Sequence, residues 1–199
     1  MLTQEEFSLL NNSELFLTKK RLNAKIIDIL GSCAIEIEHQ LSLHSEIMDD
    51  ALRNSRPKIS KGENYLSFPW TLLDYPRHFQ QEDIFALRTL CWWGHAFSIT
   101  LHLSGKYAQR FLLALENGLE ILAENDFFVC INQQPWQHHF GQDNYQSAAA
   151  FMTEKKQLQQ LFDENKFIKI MKKVPLENYL ELPDIAGKTA RTIFGILHA

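Results

Sequence analysis

The densest group of chemically capable side chains in this 199-residue chain is the run Asp74-Tyr75-Pro76-Arg77-His78. An acid, a guanidinium and an imidazole held by proline at the end of an apolar stretch can bind an anionic group. They can also divide the roles of acid, base and electrostatic clamp. The plain alternative is a surface ion pair between Asp74 and Arg77, with Tyr75 and Phe79 packing below, because the spacing matches no established catalytic pattern. His95 completes the set of candidate catalytic residues. Strand alternation puts it on an apolar face, where burial would lower its pKa and suit it to work as a general base or metal ligand. A bond to a backbone carbonyl or to Asp74 would satisfy it equally well. Trp92 and Trp93 beside it point to opposite faces, one filling core and the other free to line a pocket or interface. With Trp70 and Tyr75 they are the candidate ligand-binding aromatics.

Metal chemistry has weaker support. His138 and His139, with Asp143 nearby, need a third ligand from elsewhere, and adjacent loop histidines seldom point the same way. Glu36 and His39 form one Glu-x-x-His; di-iron bundles use two, and no second is present. His44 lies on an apolar helical stripe and reads as a core or interface histidine. Cys33, Cys91 and Cys130 are far apart, each in an apolar stretch, with no pairing at zinc spacing. They read as buried, reduced thiols. Neither GxGxxG nor GxxxxGK[ST] occurs, and Gly187-Lys188-Thr189 lacks the upstream glycine and strand of a phosphate loop. GxSxG is absent too. No resident metal and no cofactor is expected.

The elements that must position these residues follow from periodicity. Residues 3–54 read as helix, with Thr3 and Glu6 as a capping box and Asn12 or Ser13 opening a second start. Leu15, Leu22, Ile26, Ile29, Cys33, Ile37, Leu41, His44 and Met48 recur at helical spacing. A continuous helix would run ~60 Å at ~1.5 Å per residue, too long for one domain of this size. It should bend near Gly31-Ser32, or form an arm that packs against a partner chain. Lys58 to Asn64 reads as a polar loop. Residues 65–76 read as an edge or irregular strand, because Pro69 and Pro76 cannot donate to a ladder. Two further strands lie within 85–103, joined near Trp93-Gly94. In the second, Trp93, His95, Phe97, Ile99, Leu101 and Leu103 face the core, and Gly94, Ala96, Ser98, Thr100 and His102 face water. A helix follows from Tyr107 to Leu122, then a covered strand at Phe127–Ile131, a loop at 133–143, and helices at about 145–163, 166–173 and 186–198.

This is one α+β domain over residues 1–199: a long N-terminal helical region to about 54, sheet and helix over about 64–132, and C-terminal helices over about 145–198. The antiparallel sheet should have about four strands, with helices packed on one face. Hydrophobic residues make up 45% and the net charge is -4, which fits a globular core and argues against a general nucleic-acid binder. A basic patch at Lys19, Lys20, Arg21 and Lys25 is compatible with that balance. The start lacks the basic residues and apolar run of a signal peptide, and no window reaches the ~18 apolar residues of a membrane span. A soluble, cytoplasmic protein with no membrane partner is expected.

Two functions compete. One is a non-catalytic ligand-binding or protein-interaction domain, with an aromatic-lined groove for an unknown small ligand and a homodimer through the N-terminal helix. The other is a small enzyme whose Asp74, Arg77, His78 and His95 converge on an anionic or carbonyl-bearing substrate.

Overall fold

A computed structural model describes all 199 residues. Its helices are α1 (Gln4–Leu10), α2 (Ser13–Leu43), α3 (Asp50–Arg53), α4 (Gly105–Asn117), α5 (Leu119–Glu124), α6 (Ala148–Thr153), α7 (Leu158–Asn165) and α8 (Leu182–His198). Its strands are β1 (Lys58–Tyr65), β2 (Phe68–Gln80), β3 (Asp83–Trp92), β4 (Ala96–Ser104), β5 (Phe127–Cys130), β6 (Tyr145–Ser147) and β7 (Phe167–Val174). All seven strands form one antiparallel sheet in the order β1-β2-β3-β4-β7-β5-β6. The class is α+β, with a wider sheet than the four strands expected.

Three segments account for the difference. Lys58 to Asn64 is strand, not loop: β1 pairs only with β2, so as an edge strand it keeps polar side chains facing water. Lysines on such an edge discourage further pairing. Gly62 is needed there because the Trp70 ring lies across it, and a Cβ would meet that ring at 2.6 Å. At the opposite edge, β6 is too short to signal itself. Residues 167–174, expected helical, are β7. Ile168, Ile170 and Val174 enter the main core while Phe167, Lys169 and Met171 are buried on the other face. A strand covered on both sides loses the alternation that marks a half-wet one. β2 lies one in from the edge, and its register shifts between Asp74 and Arg77, around the cis Tyr75–Pro76 peptide.

The N-terminal helix breaks at a different place than expected. α2 runs unbroken through Gly31 and Ser32, and the expected helical region 3–54 is interrupted instead at Asn11-Asn12 and again between Leu43 and Asp50. Asn12 caps α2 by accepting from the Leu15 N–H at 3.1 Å, and Thr3 with Glu6 closes the capping box on α1. The second half of α2 buries Leu30, Cys33, Ile37 and Leu41 against α8 and the sheet, in the same core as Tyr107, Phe111 and Leu115 of α4. The start of α2 leaves the body, rejoining it from Lys19 and Asn23, which meet Glu63 and Thr71, and every residue from Met1 to Thr18 is exposed. No helix is long and apolar enough to cross a membrane.

The helices cover one face of the sheet. Ala96, Ser98, Thr100, His102 and Ser104 occupy the other face of β4, but that face is not wet: every residue of β4 is buried. The cover is the stretch 131–144, which has no helix or strand. Ile170 has no exposed surface and packs in the main core at the centre of β7. Ile170→Ala is expected to lower the urea unfolding free energy by about 2–5 kcal/mol, the cost of a core cavity. A change below about 0.5 kcal/mol, the usual size for a surface site, would contradict this placement.

Candidate functional site

Four central strands place ionisable side chains on the covered face, and the ladder brings them together. Asp74 of β2 lies opposite Arg88 of β3, and His102 of β4 opposite Lys169 of β7. Arg88 Nε donates to Asp74 Oδ1 at 2.7 Å and Nη2 to Oδ2 at 3.0 Å, a bidentate fork. Both side chains are nearly buried, at 13% and 9% exposed. A planar guanidinium suits this geometry where an ammonium would not. The third arm, Nη1, lies 3.1 Å from His138 Nε2. Guanidinium nitrogens only donate, so Nε2 must accept and His138 is the neutral tautomer carrying its proton on Nδ1. Burial first, then the charges of Lys169 and Arg88, hold the His138 pKa well below its usual value.

Lys169 is 1% exposed and points its ammonium at the covering loop. Nζ donates to Pro135 O at 3.0 Å and to Gln137 O at 2.6 Å. Burial, aided by Arg88 and opposed by Cys130, lowers its pKa to about 8. His102 makes no hydrogen bond through Nε2, which is buried without a partner. Its ring sits between Trp136 and Phe167, with centroids 5.4 and 5.7 Å away. Burial, then Lys169 and Arg88, brings its pKa down to about 3.

The loop is tied down from a further side as well. The Tyr65 hydroxyl, at the end of β1, accepts from His138 N at 2.6 Å and His139 N at 3.1 Å and donates to Gln137 Oε1. Long unstructured stretches in compact proteins are uncommon and often functional. Beside the cluster opens a cleft of about 480 Å³, bounded by the end of β4, the start of α4, the end of α7 and Pro135. His102, Ser104, Gln109, Phe162, Asn165 and Phe167 line it. The Asn165 Oδ1 is a second buried atom without a partner, while Nδ2 donates to Asn132 O at 3.3 Å.

The residues singled out in the sequence are only partly brought together. Asp74 belongs to the cluster, but its partner is Arg88 and the Asp74–Arg77 pair does not form. Arg77 instead donates Nε to Arg56 O at 3.3 Å. His78 lies on the helix-bearing side, edge-on to Tyr107 at 5.4 Å. His95 is not on a strand: it is exposed in the turn after β3, its ring stacked on Trp92 at 3.5 Å and its Nδ1 2.9 Å from Trp93 O. The alternation that assigned it to the core ran one turn too far. The four do not share one site.

Trp70 and Trp92 pack with Leu72 and Leu90 under the loop, Tyr75 is in the main core, and Trp93 lies at that core's margin. These four aromatics pack in separate parts of the chain and do not line a common groove. His138 and His139 diverge: His139 Nδ1 accepts from Gly141 N at 3.2 Å, while His138 meets the Arg88 cation. Elsewhere the donor atoms of His44, Glu46 and His198 lie within 4.8 Å of one another. There His198 and Glu46 already pair at 3.3 Å, tying the end of α8 to the turn after α2.

Arg88, His102 and Lys169 carry the site and were not singled out from the sequence. The available signal was a charged or imidazole side chain inside an otherwise apolar strand, as in Phe167-Ile168-Lys169-Ile170-Met171. Comparison with protein-family models, with curated proteins and with solved structures finds no match for this chain.

Removing Arg88 strands a buried carboxylate, so Arg88→Ala should cost about 3–5 kcal/mol in chemical unfolding. A loss under about 1 kcal/mol would mean the pair behaves as an exposed one. His102 adds a pH dependence. Between its folded value of about 3 and its ordinary 6.5, the unfolded chain takes up a proton that the folded chain refuses. Stability should therefore fall as pH drops through that window. His102→Phe should flatten the fall, and an unchanged slope would contradict the assignment.

Proposed function

We propose that this protein works by association, as a protein-interaction domain without chemistry of its own, and that it assembles as a homodimer through its N-terminal arm. The observation that carries this reading is the apolar surface of the first eighteen residues. Phe7 is 56% exposed, Leu10 59% and Phe16 51%, with Leu2, Leu9, Leu15 and Leu17 also open to solvent. α1 has no buried residue, and helices this short are marginal in water unless they pack against something. At roughly 100 Å² for each half-exposed side chain, seven offer on the order of 700 Å². A stable interface takes about 800 Å² from each partner.

A second copy suits this surface. Glu5 and Glu6 lie toward the tip of the arm and Lys20 and Lys25 toward its base, while Glu14 pairs with Arg21 and Lys19 with Glu63 in the same chain. Two arms laid antiparallel about a two-fold axis set the acidic tip of each against the basic base of the other. At that base lies an apolar groove of about 630 Å³, lined by Leu22, Ile26, Ile29, Phe97, Tyr179 and Leu180. It is a seat for Phe7 and Leu10 of the partner.

The Asp74–Arg88–His138 cluster is satisfied within itself, which favours association over catalysis as its use. Cys33 and Cys91, pushed up to about 12 by burial, are inert thiols that fit a reducing compartment; we place the protein in the cytoplasm on that ground.

Sedimentation velocity on the full chain should give a dimer. The double variant Phe7→Asp/Phe16→Asp, which changes only exposed positions, should sediment as a monomer whose circular dichroism spectrum loses at most the helicity of the short α1. A wild-type chain that remains monomeric at every concentration would overturn the reading.

A further inference from the structure

We propose that the cleft beside His102 binds a compact oxyanion, a carboxylate or phosphate group borne by a small ligand. It is separate from the N-terminal arm, so this site and the homodimer stand or fall independently.

Three observations converge on it. The first is His102 itself, which lines the cleft at 4% exposure with Nε2 lacking any partner. A neutral imidazole has one N–H to give, and with that proton on Nε2 an acceptor from the cleft is what the side chain lacks. A phenylalanine would fill the slot between Trp136 and Phe167 without that need.

The second is charge. Beneath the loop stand two cations, Arg88 and Lys169, to one carboxylate, Asp74, and both cations act on His102. Asp143 of the loop is turned to solvent at 74% exposed and balances neither. At the rim, Glu82 and Asp83 face a single cation, Lys166, so the excess that favours an anion is the interior one. A positive excess screened from water favours an incoming anion.

The third is the start of α4, which opens onto the cleft at Ser104 and Gly105. Ser104 stands at the N-cap without capping. Its hydroxyl donates to Glu82 O and accepts from Ile84 N instead. Asp83 takes the Lys106 N–H at 2.8 Å, so one amide is already engaged. The positive end of the helix dipole faces the cleft with the Asp83 carboxylate beside it, which offsets part of that charge.

Asn165 refines the ligand. Its unpartnered Oδ1 is itself covered, so a turn of the amide brings it to a hydroxyl beside the oxyanion, as in a small hydroxy acid or its phosphate ester. Phe162 and Phe167 give the cleft apolar lining for the rest of such a ligand.

The test is titration of the ¹⁵N-labelled full chain with inorganic phosphate, glycolate and acetamide, followed by NMR. Phosphate or glycolate should give saturable shifts at Gly105, Gln109, Asn165 and the His102 ring, and acetamide should give none. The stronger of the two anions identifies the ligand group. His102→Phe should weaken the binding about tenfold or more, roughly 1.4 kcal/mol. Gln109→Ala, at an exposed position, should weaken it without touching the fold. Absence of saturable shifts with both anions, an equal response to acetamide, or binding unaffected by both substitutions would each overturn the proposal.

Discussion

A sheet covered on both faces has to supply a partner for every charge it carries inside, and in this protein that requirement falls on Arg88. Its guanidinium joins three parts of the chain: β2 through the fork to Asp74, its own strand, and the covering loop through His138. The Trp136 ring lies over it at 5.8 Å. Lys169 repeats the arrangement from β7, holding two carbonyls of the same loop. These polar contacts seat residues 131–144 on the sheet. The loop in turn excludes the water that would screen the charges. Charge pairing and loop closure therefore depend on each other, and the lowered pKa values of Lys169, His102 and His138 follow from both.

The same chain treats its longest helix in two ways. α2 spans ~46 Å at ~1.5 Å per residue. The body covers only its second half, where Cys33, Ile37 and Leu41 are buried. Leu15 continues the stripe outward in the open, and Leu22 lies half exposed at the edge of the groove. The apolar stripe is uniform along the helix; what changes is whether this chain can reach it. The covered face and the bare arm thus pose opposite problems, one with charges sealed inside and one with apolar surface left outside.

The sequence shows the covered elements less clearly than the half-exposed ones. The hairpin of β3 and β4 was legible from alternation, and so was the capping box at Thr3 and Glu6. β7 was not, because burial on both sides replaces a period of two with a mixed run that also suits a helix. β1 was hidden by its polarity, which suits an edge as well as a loop. At the site, Asp74 was visible from its chemically dense neighbourhood. Arg88, His102 and Lys169 lie far apart in sequence and meet only through the β2-β3-β4-β7 register, which cannot be read from any local stretch. His95 failed for a simpler reason: alternation says nothing about where a strand begins.

The account rests on Lys169 being held dry beneath the loop, and the direct measurement is an NMR titration of its ammonium group in the folded chain. A midpoint near pH 8 is the predicted result. A midpoint at the ordinary lysine value of 10.5 would show the ammonium to be in water and contradict the covered face.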